Sequence, residues 1–201
     1  MKRNILFIAV DDLRPEIGCF GKAKLHTPNL DRLASWGVQF DRAYCQVPIC
    51  MPSRASLLSG VRPDDTWRDR IAAMCPNGEP SLPHHLKQAG YTTISIGKIY
   101  HYNDDDEEAW STRYTDTFGE ADYTCDGYCA GYQLAENQRK LLNFRRRLEG
   151  EDVELPPRIE CADVADSAYP DAIIADRAID TLRQLHGGET PFFLATGFYR
   201  P

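Results

Sequence analysis

Long apolar runs are missing from this 201-residue chain, and no stretch approaches the ~20 residues that carry a helix across a bilayer. Basic clusters are scarce as well. Lysine and arginine total 23 against 30 acidic residues, for a net charge of −7. The one cationic run, Arg145-Arg146-Arg147, is followed by Glu149, Glu151 and Asp152. That pattern reads as a solvated helix face, so no nucleic-acid partner is expected. Seven cysteines are too few for a disulfide-built scaffold of this length, and they are odd in number. Cys125, Cys129 and Cys161 fall in the loop-rich middle, where there is room for one bridge, and their pairing stays open. No internal repeat is present. Met1-Lys2-Arg3 before the apolar Asn4 to Val10 has the outline of an export signal. The run is short, however, ends in Asp11-Asp12 and lacks a small-residue cleavage site. It reads as a buried strand, which implies a cytoplasmic chain as given, or a periplasmic or secreted one if a signal has been trimmed.

What is there, 42% hydrophobic and 26% charged, suits one globular domain or a large piece of one. Its rhythm is βαβ. Asn4 to Val10 is a continuous apolar strand of the kind buried on both faces of a parallel sheet. Thr27-Pro28 caps a helix through Trp36, with Leu30, Leu33 and Ala34 on one face and Gly37 as its stop. Val38 to Tyr44 reads as the next strand. Pro52 to Gly60 reads as a helix with proline at its first position. Ser81 caps a helix through Ala89, Gly90 closes it, and Tyr91 to Ile96 is a strand. Ala165 to Leu185 is the longest helix, with an ill-defined start, and Thr190 to Gly197 is the last strand. The expected fold is α/β, a mostly parallel sheet between helices and incomplete at the C-terminus. Asn103 to Tyr132 is acidic and then rich in Gly, Tyr and Cys, and the stretch from about 103 to 163 is taken as an excursion over the surface.

Parallel sheets bind ligands at the carboxyl ends of their strands, and three such ends carry chemistry here. Asp11-Asp12 follows the first strand, where adjacent carboxylates favour a hard divalent cation between them; a turn capped by aspartates is the plainer alternative. Cys50 stands at the mouth of a helix with Arg54 one turn on, so helix dipole and guanidinium both favour an anion beside a reactive side chain. A buried core cysteine is the plainer alternative. The spacing is too short for a thiolate phosphatase loop. Lys98 and His101 follow the strand Tyr91 to Ile96, offering a charge for an anionic group and a proton for a leaving oxygen. His84 and His85 belong to a helix surface. A receiver domain also begins with a strand and an acidic pair, but the third candidate strand ends in Gly97-Lys98 rather than in a phospho-accepting aspartate. The three ends together suit transfer of a sulfuryl or phosphoryl group.

The chain resembles the N-terminal part of a type I sulfatase, of the alkaline-phosphatase superfamily. The resemblance rests on Asn4 to Asp12, Thr27-Pro28-Asn29-Leu30-Asp31-Arg32-Leu33-Ala34, Cys50-Met51-Pro52-Ser53-Arg54-Ala55-Ser56-Leu57-Leu58-Ser59-Gly60, and Gly90-Tyr91 through Gly97-Lys98. Asp11 to Pro15, Gly97 to His101 and Pro191 to Pro201 are similar to members that desulfate sugars, whereas Asn103 to Asp163 matches less clearly. The resemblance implies a sulfuric ester hydrolase for a sulfated sugar or glycosaminoglycan-like substrate. It also implies that a formylglycine-generating enzyme, reading Pro52 and Arg54, oxidises Cys50 to formylglycine, whose hydrate is the nucleophile. Asp11 and Asp12 would bind Ca²⁺ together with the modified Cys50, and His101 and Lys98 are the local proton donors. Further metal ligands of the family lie beyond residue 201, so residues 1–201 are expected to be an N-terminal portion of the catalytic domain and inactive alone. A phosphonate or phosphodiester hydrolase of the same superfamily, and a non-catalytic binder of sulfated glycans, are the alternatives.

Overall fold

The computed structural model describes residues 2–21, 25–63, 80–101, 105–114, 131–141 and 143–200. Among these residues four parallel strands form one sheet in the order β1-β4-β2-β3, with β1 at Ile5–Val10, β2 at Thr92–Gly97, β3 at Thr112–Tyr114 and β4 at Phe192–Phe198. The last strand in sequence therefore lies inside the sheet, between the first two. Every residue from Phe193 to Gly197 is buried, as a strand packed on both faces must be.

Among the described residues the helices are α1 (Pro28–Trp36), α2 (Cys50–Ser59), α3 (Leu82–Gln88), α4 (Ala135–Leu141), α5 (Asn143–Leu148) and α6 (Pro170–Leu185). Strand alternation sends Phe193 and Ala195 to one face, where they meet Leu58 of α2, Leu86 of α3 and the loop residues Ile99, Tyr100 and Trp110. Trp110 stacks on Phe193 with ring centroids 6.0 Å apart. Ile94, Ile96 and Leu194 face the other way, against Ile174, Ala178, Leu182 and Leu185, which recur at helical spacing along α6. The fully buried Ser81 caps α3 by accepting from the His84 N–H at 3.3 Å, and donates to Asp106 at 2.6 Å. No helix among the described residues is long and apolar enough to cross a membrane.

Several expectations from the sequence need correction. Val38 to Tyr44 is not a strand; it carries a turn at residues 41–42, and Val38, Phe40 and Tyr44 are exposed. Its alternating apolar residues look strand-like, but among the described residues no strand pairs with it. The helix α2 begins at Cys50, so Pro52 is its third residue rather than its first; the first i→i−4 bond runs from Ser53 N–H to Ile49 C=O at 3.1 Å, so the missing proline donor still leaves no gap. Thr27 precedes α1 without capping it, because its hydroxyl accepts from Gly18 N–H and turns to Asp31. A 3₁₀ turn at Asp166–Ala168 separates the residues before Pro170 from the long helix. The short strand β3 lies inside the stretch read as an excursion, and Cys161 is a free, exposed thiol. Cys125 and Cys129 lie outside the described residues.

On β1 the two faces differ. Ile5 and Phe7 join the core with α2 and α3, whereas Leu6 and Ile8 are 46% and 53% exposed on the face that α6 covers at β4 and β2. The apolar stripe of α1 predicted from Leu30 and Leu33 is present but exposed as well, and no residue of α1 is buried.

Candidate active site

Asp11 is the residue after β1, and its N–H donates to Phe198 C=O at 3.1 Å, which ties it to the end of β4. Its carboxylate is nearly enclosed and meets two cations. Lys98 Nζ donates to Oδ2, and Arg54 Nη2 donates to Oδ1 at 3.3 Å. Burial pushes the Asp11 carboxyl up, but the Lys98 ammonium and the Arg54 guanidinium outweigh it and hold the group below its usual value.

Arg54 is brought there by α2. Residues four apart on a helix share a face, so Arg54 lies one turn along from Cys50, the first residue of the helix. Its guanidinium is buried, with Nη1 donating to the carbonyls of Lys98 and, at 3.0 Å, of Ile99. The fork expected to receive a ligand anion is thus engaged on three protein oxygens, and Arg54 fixes the segment that carries Lys98. Cys50 is a half-buried free thiol at the helix mouth, beside backbone N–H groups that the helix leaves unpaired.

Lys98 sits at the end of β2, two strands from Asp11. Its chain must pass over the end of β4, and two glycines make that possible. Lys98 N–H donates to Gly197 C=O at 2.9 Å, and a Cβ on Gly197 would collide with the Lys98 carbonyl. Gly97 sits at φ +71°, where a side chain would be strained and would strike the Gly197 carbonyl. The lysine is 8% exposed, with Nζ 5.7 Å from the centre of the Tyr199 ring.

The structure therefore brings Asp11, Arg54 and Lys98 together, with Cys50 one helical turn away. Asp12 is exposed and left-handed at φ +53°, a conformation aspartate tolerates, and among the described residues its carboxylate takes no hydrogen bond or ion pair. His101 is half-buried in the segment that leaves Lys98. Adjacent carboxylates are the right donors for a hard cation, but such an ion collects about 6–8 oxygens. Among the described residues no group of three or more His, Cys, Asp or Glu side chains is placed to hold a metal. The donors fit in kind and form part of a shell.

Three further residues shape this edge without having been singled out from the sequence. Gly197 permits the crossing, Tyr199 faces the ammonium of Lys98, and Asp171 in the first turn of α6 accepts from Tyr199 N–H at 2.9 Å and Arg200 N–H at 2.8 Å. Glycine at the end of a buried strand was the available signal for the first. The other two depend on the long helix packing back over the end of β4.

The family model described as Sulfatase matches residues 3–201. The iduronate 2-sulfatase of Mus musculus is 33% identical over 98% of this chain and 35% of its own length. A solved structure in complex with its substrate D-glucosamine-2-N,6-O-disulfate superposes with a TM-score of 0.62 at 24% identity, covering 100% of this chain and 35% of that one. A protein in the alkaline phosphatase superfamily from Vibrio parahaemolyticus superposes with a TM-score of 0.57 at 16% identity, covering 98% of this chain and 40% of the other. The chain thus spans about a third of the length of the curated relatives it matches.

Proposed function

This chain belongs to the sulfatase family, and from that premise we propose that it is the nucleophile-bearing, N-terminal part of a sulfuric ester hydrolase acting on a sulfated sugar or glycosaminoglycan-like substrate. The observation that carries the reading is the meeting of Asp11, Arg54 and Lys98 at the mouth of the helix that Cys50 opens. The sugar is supported by the mouse relative, an iduronate 2-sulfatase, and by the fold neighbour that binds a glucosamine disulfate.

Formylglycine at position 50, together with Ca²⁺ held in part by Asp11 and Asp12, would supply an oxygen nucleophile at neutral pH and a means of expelling the bound sulfate afterwards. The protein's own residues do the rest. Lys98 brings a positive charge to the edge where sulfate oxygens accumulate negative charge. Arg54 holds the carbonyls of Lys98 and Ile99, so the ammonium is pre-positioned rather than recruited by substrate. His101, or Lys98 itself, donates the proton that the departing sugar hydroxyl needs.

The test uses the full-length gene product purified from its native host. Mass spectrometry of the Cys50 peptide is expected to show the aldehyde, and Cys50→Ala to lose roughly 10³-fold or more in kcat. A phosphodiester is assayed beside a sulfated disaccharide. An unmodified thiol with full sulfate release, or full rates after Asp11→Ala and Asp12→Ala together, overturns the reading.

A further inference from the structure

Lys98 has a fixed backbone and a side chain that stands between two partners. Arg54 Nη1 donates to its carbonyl, and its own N–H donates to Gly197 C=O at 2.9 Å. The ammonium donates to Asp11, and it also lies 5.7 Å from the centre of the Tyr199 ring, inside the ~6 Å reach of a cation–π contact. The two partners differ in kind. Asp11 carries a full negative charge, which attracts the ammonium and offsets its positive charge. An aromatic face attracts the same ammonium through its quadrupole and leaves the charge uncompensated. A cation that has to meet sulfate oxygens gains from a partner of the second kind.

The place of Tyr199 is itself imposed from elsewhere. The register pairs Gly97 of β2 with Gly197 of β4, so Lys98 and Tyr199 leave neighbouring strand ends one residue out of step. The start of α6 holds both ends. Asp171, its second residue, accepts from Tyr199 N–H at 2.9 Å and from Arg200 N–H at 2.8 Å, one bond to each carboxylate oxygen. Three residues on, and on the same side of the helix, the fully buried Ile174 lies against Gly97, where a Cβ would come within 2.8 Å of Ile174 Cδ1. One helical turn therefore touches the residue before Lys98 and the backbone of Tyr199 together. The spacing of ammonium and ring is set by α6 as well as by the sheet.

We propose that Tyr199 is a positioning residue for Lys98, its ring holding the ammonium at the carboxyl edge of the sheet, and that Asp171 positions Tyr199 in turn. The assignment rests on the sulfatase reading, in which Lys98 meets the sulfate, and adds the two residues that aim it.

A double-mutant cycle in the full-length protein tests this, read as affinity for inorganic sulfate by calorimetry and as kcat/KM on a sulfated disaccharide. Tyr199→Leu is expected to weaken sulfate binding about fivefold, the scale of a cation–π contact, and Tyr199→Phe, which keeps the ring, to recover most of that loss. Asp171→Asn keeps one accepting oxygen and should lose about twofold. In the Lys98→Ala protein none of these changes should weaken binding further, because the group they aim is gone. Melting temperatures certify the fold, and Tyr199→Gln replaces Tyr199→Leu if the latter melts early. Unchanged sulfate affinity in Tyr199→Leu, a phenylalanine variant as weak as the leucine one, or a loss that persists without Lys98 overturns the positioning role. So does a Lys98→Ala protein that binds sulfate as well as wild type, whatever its turnover. If the cycle closes as expected while the protein releases no sulfate from the disaccharide, the hydrolase reading falls and the positioning pair stands. Turnover with a loss that persists without Lys98 sinks the positioning pair alone.

Discussion

The ammonium of Lys98 rests on the carboxylate of Asp11 although the whole of β4 lies between the strands that carry them. The contact exists because the chain leaving β2 crosses over Gly197, where any side chain would occupy the space of the Lys98 carbonyl. Gly197→Ala is therefore expected to destabilise the protein by about 2–3 kcal/mol, the scale of overpacking a filled site. It should also cut kcat/KM of the full-length protein by more than about tenfold by displacing Lys98. Thermal denaturation and steady-state kinetics measure the two effects, and a variant with wild-type values in both would remove the crossing as a constraint.

Arg54 behaves as a structural clamp as much as a charge. Arg54→Ala strands two backbone carbonyls and leaves Asp11 with Lys98 alone, a loss of about 3–5 kcal/mol for breaking a buried pair. Arg54→Lys restores the charge without the fork and should recover only part of the stability. Denaturant titration of the full-length protein ranks the three; equal stability of the lysine and arginine forms would show that charge alone suffices.

Pro52 and Arg54, the residues implied to be read during oxidation of Cys50, are both buried once α2 has packed. A synthetic peptide covering residues 45–62 is thus expected to be converted by a formylglycine-generating enzyme, while the folded Cys50 protein is not. Mass spectrometry after incubation with the purified enzyme decides this, and comparable conversion of the folded protein would refute it.

Glu160 gives the pH dependence. Burial raises its carboxyl, but donors from Gln133, Asn137, Leu134 and Tyr169 prevail and hold it below its usual value. A carboxyl depressed by folding contributes stability above its unfolded pKa and loses it as pH falls through the folded one. Glu160→Ala should therefore cost about 1 kcal/mol at pH 7, the order of a lost hydrogen bond. The gap from wild type should narrow as the buffer is acidified through and below the usual carboxylate range. Melting curves across that range test it, and a gap that is constant or widens in acid would contradict it.

Much of the sheet edge was legible because parallel strands place all their carboxyl ends together, so Asp11 and Lys98 declared a common edge from strand order along the chain alone. Their pairing was not legible, since nothing local says that a strand ninety residues after Lys98 inserts between them. Cys50 and Arg54 were readable from helical spacing, but the carbonyls that occupy Arg54 belong to another element. Val38 to Tyr44 misled because a period of two marks a strand only when a neighbour exists to pair with it. Tyr199 was not legible either, because its place depends on the first turn of α6 holding the residues after β4.

The bare face of β1 has a practical consequence. Among the described residues β1 pairs only with β4, and such an edge, with Leu6 and Ile8 turned to water, is a template for another strand. Produced as these 201 residues, the polypeptide would find its cover in other copies of itself, and its sedimentation profile would spread toward large species with rising concentration.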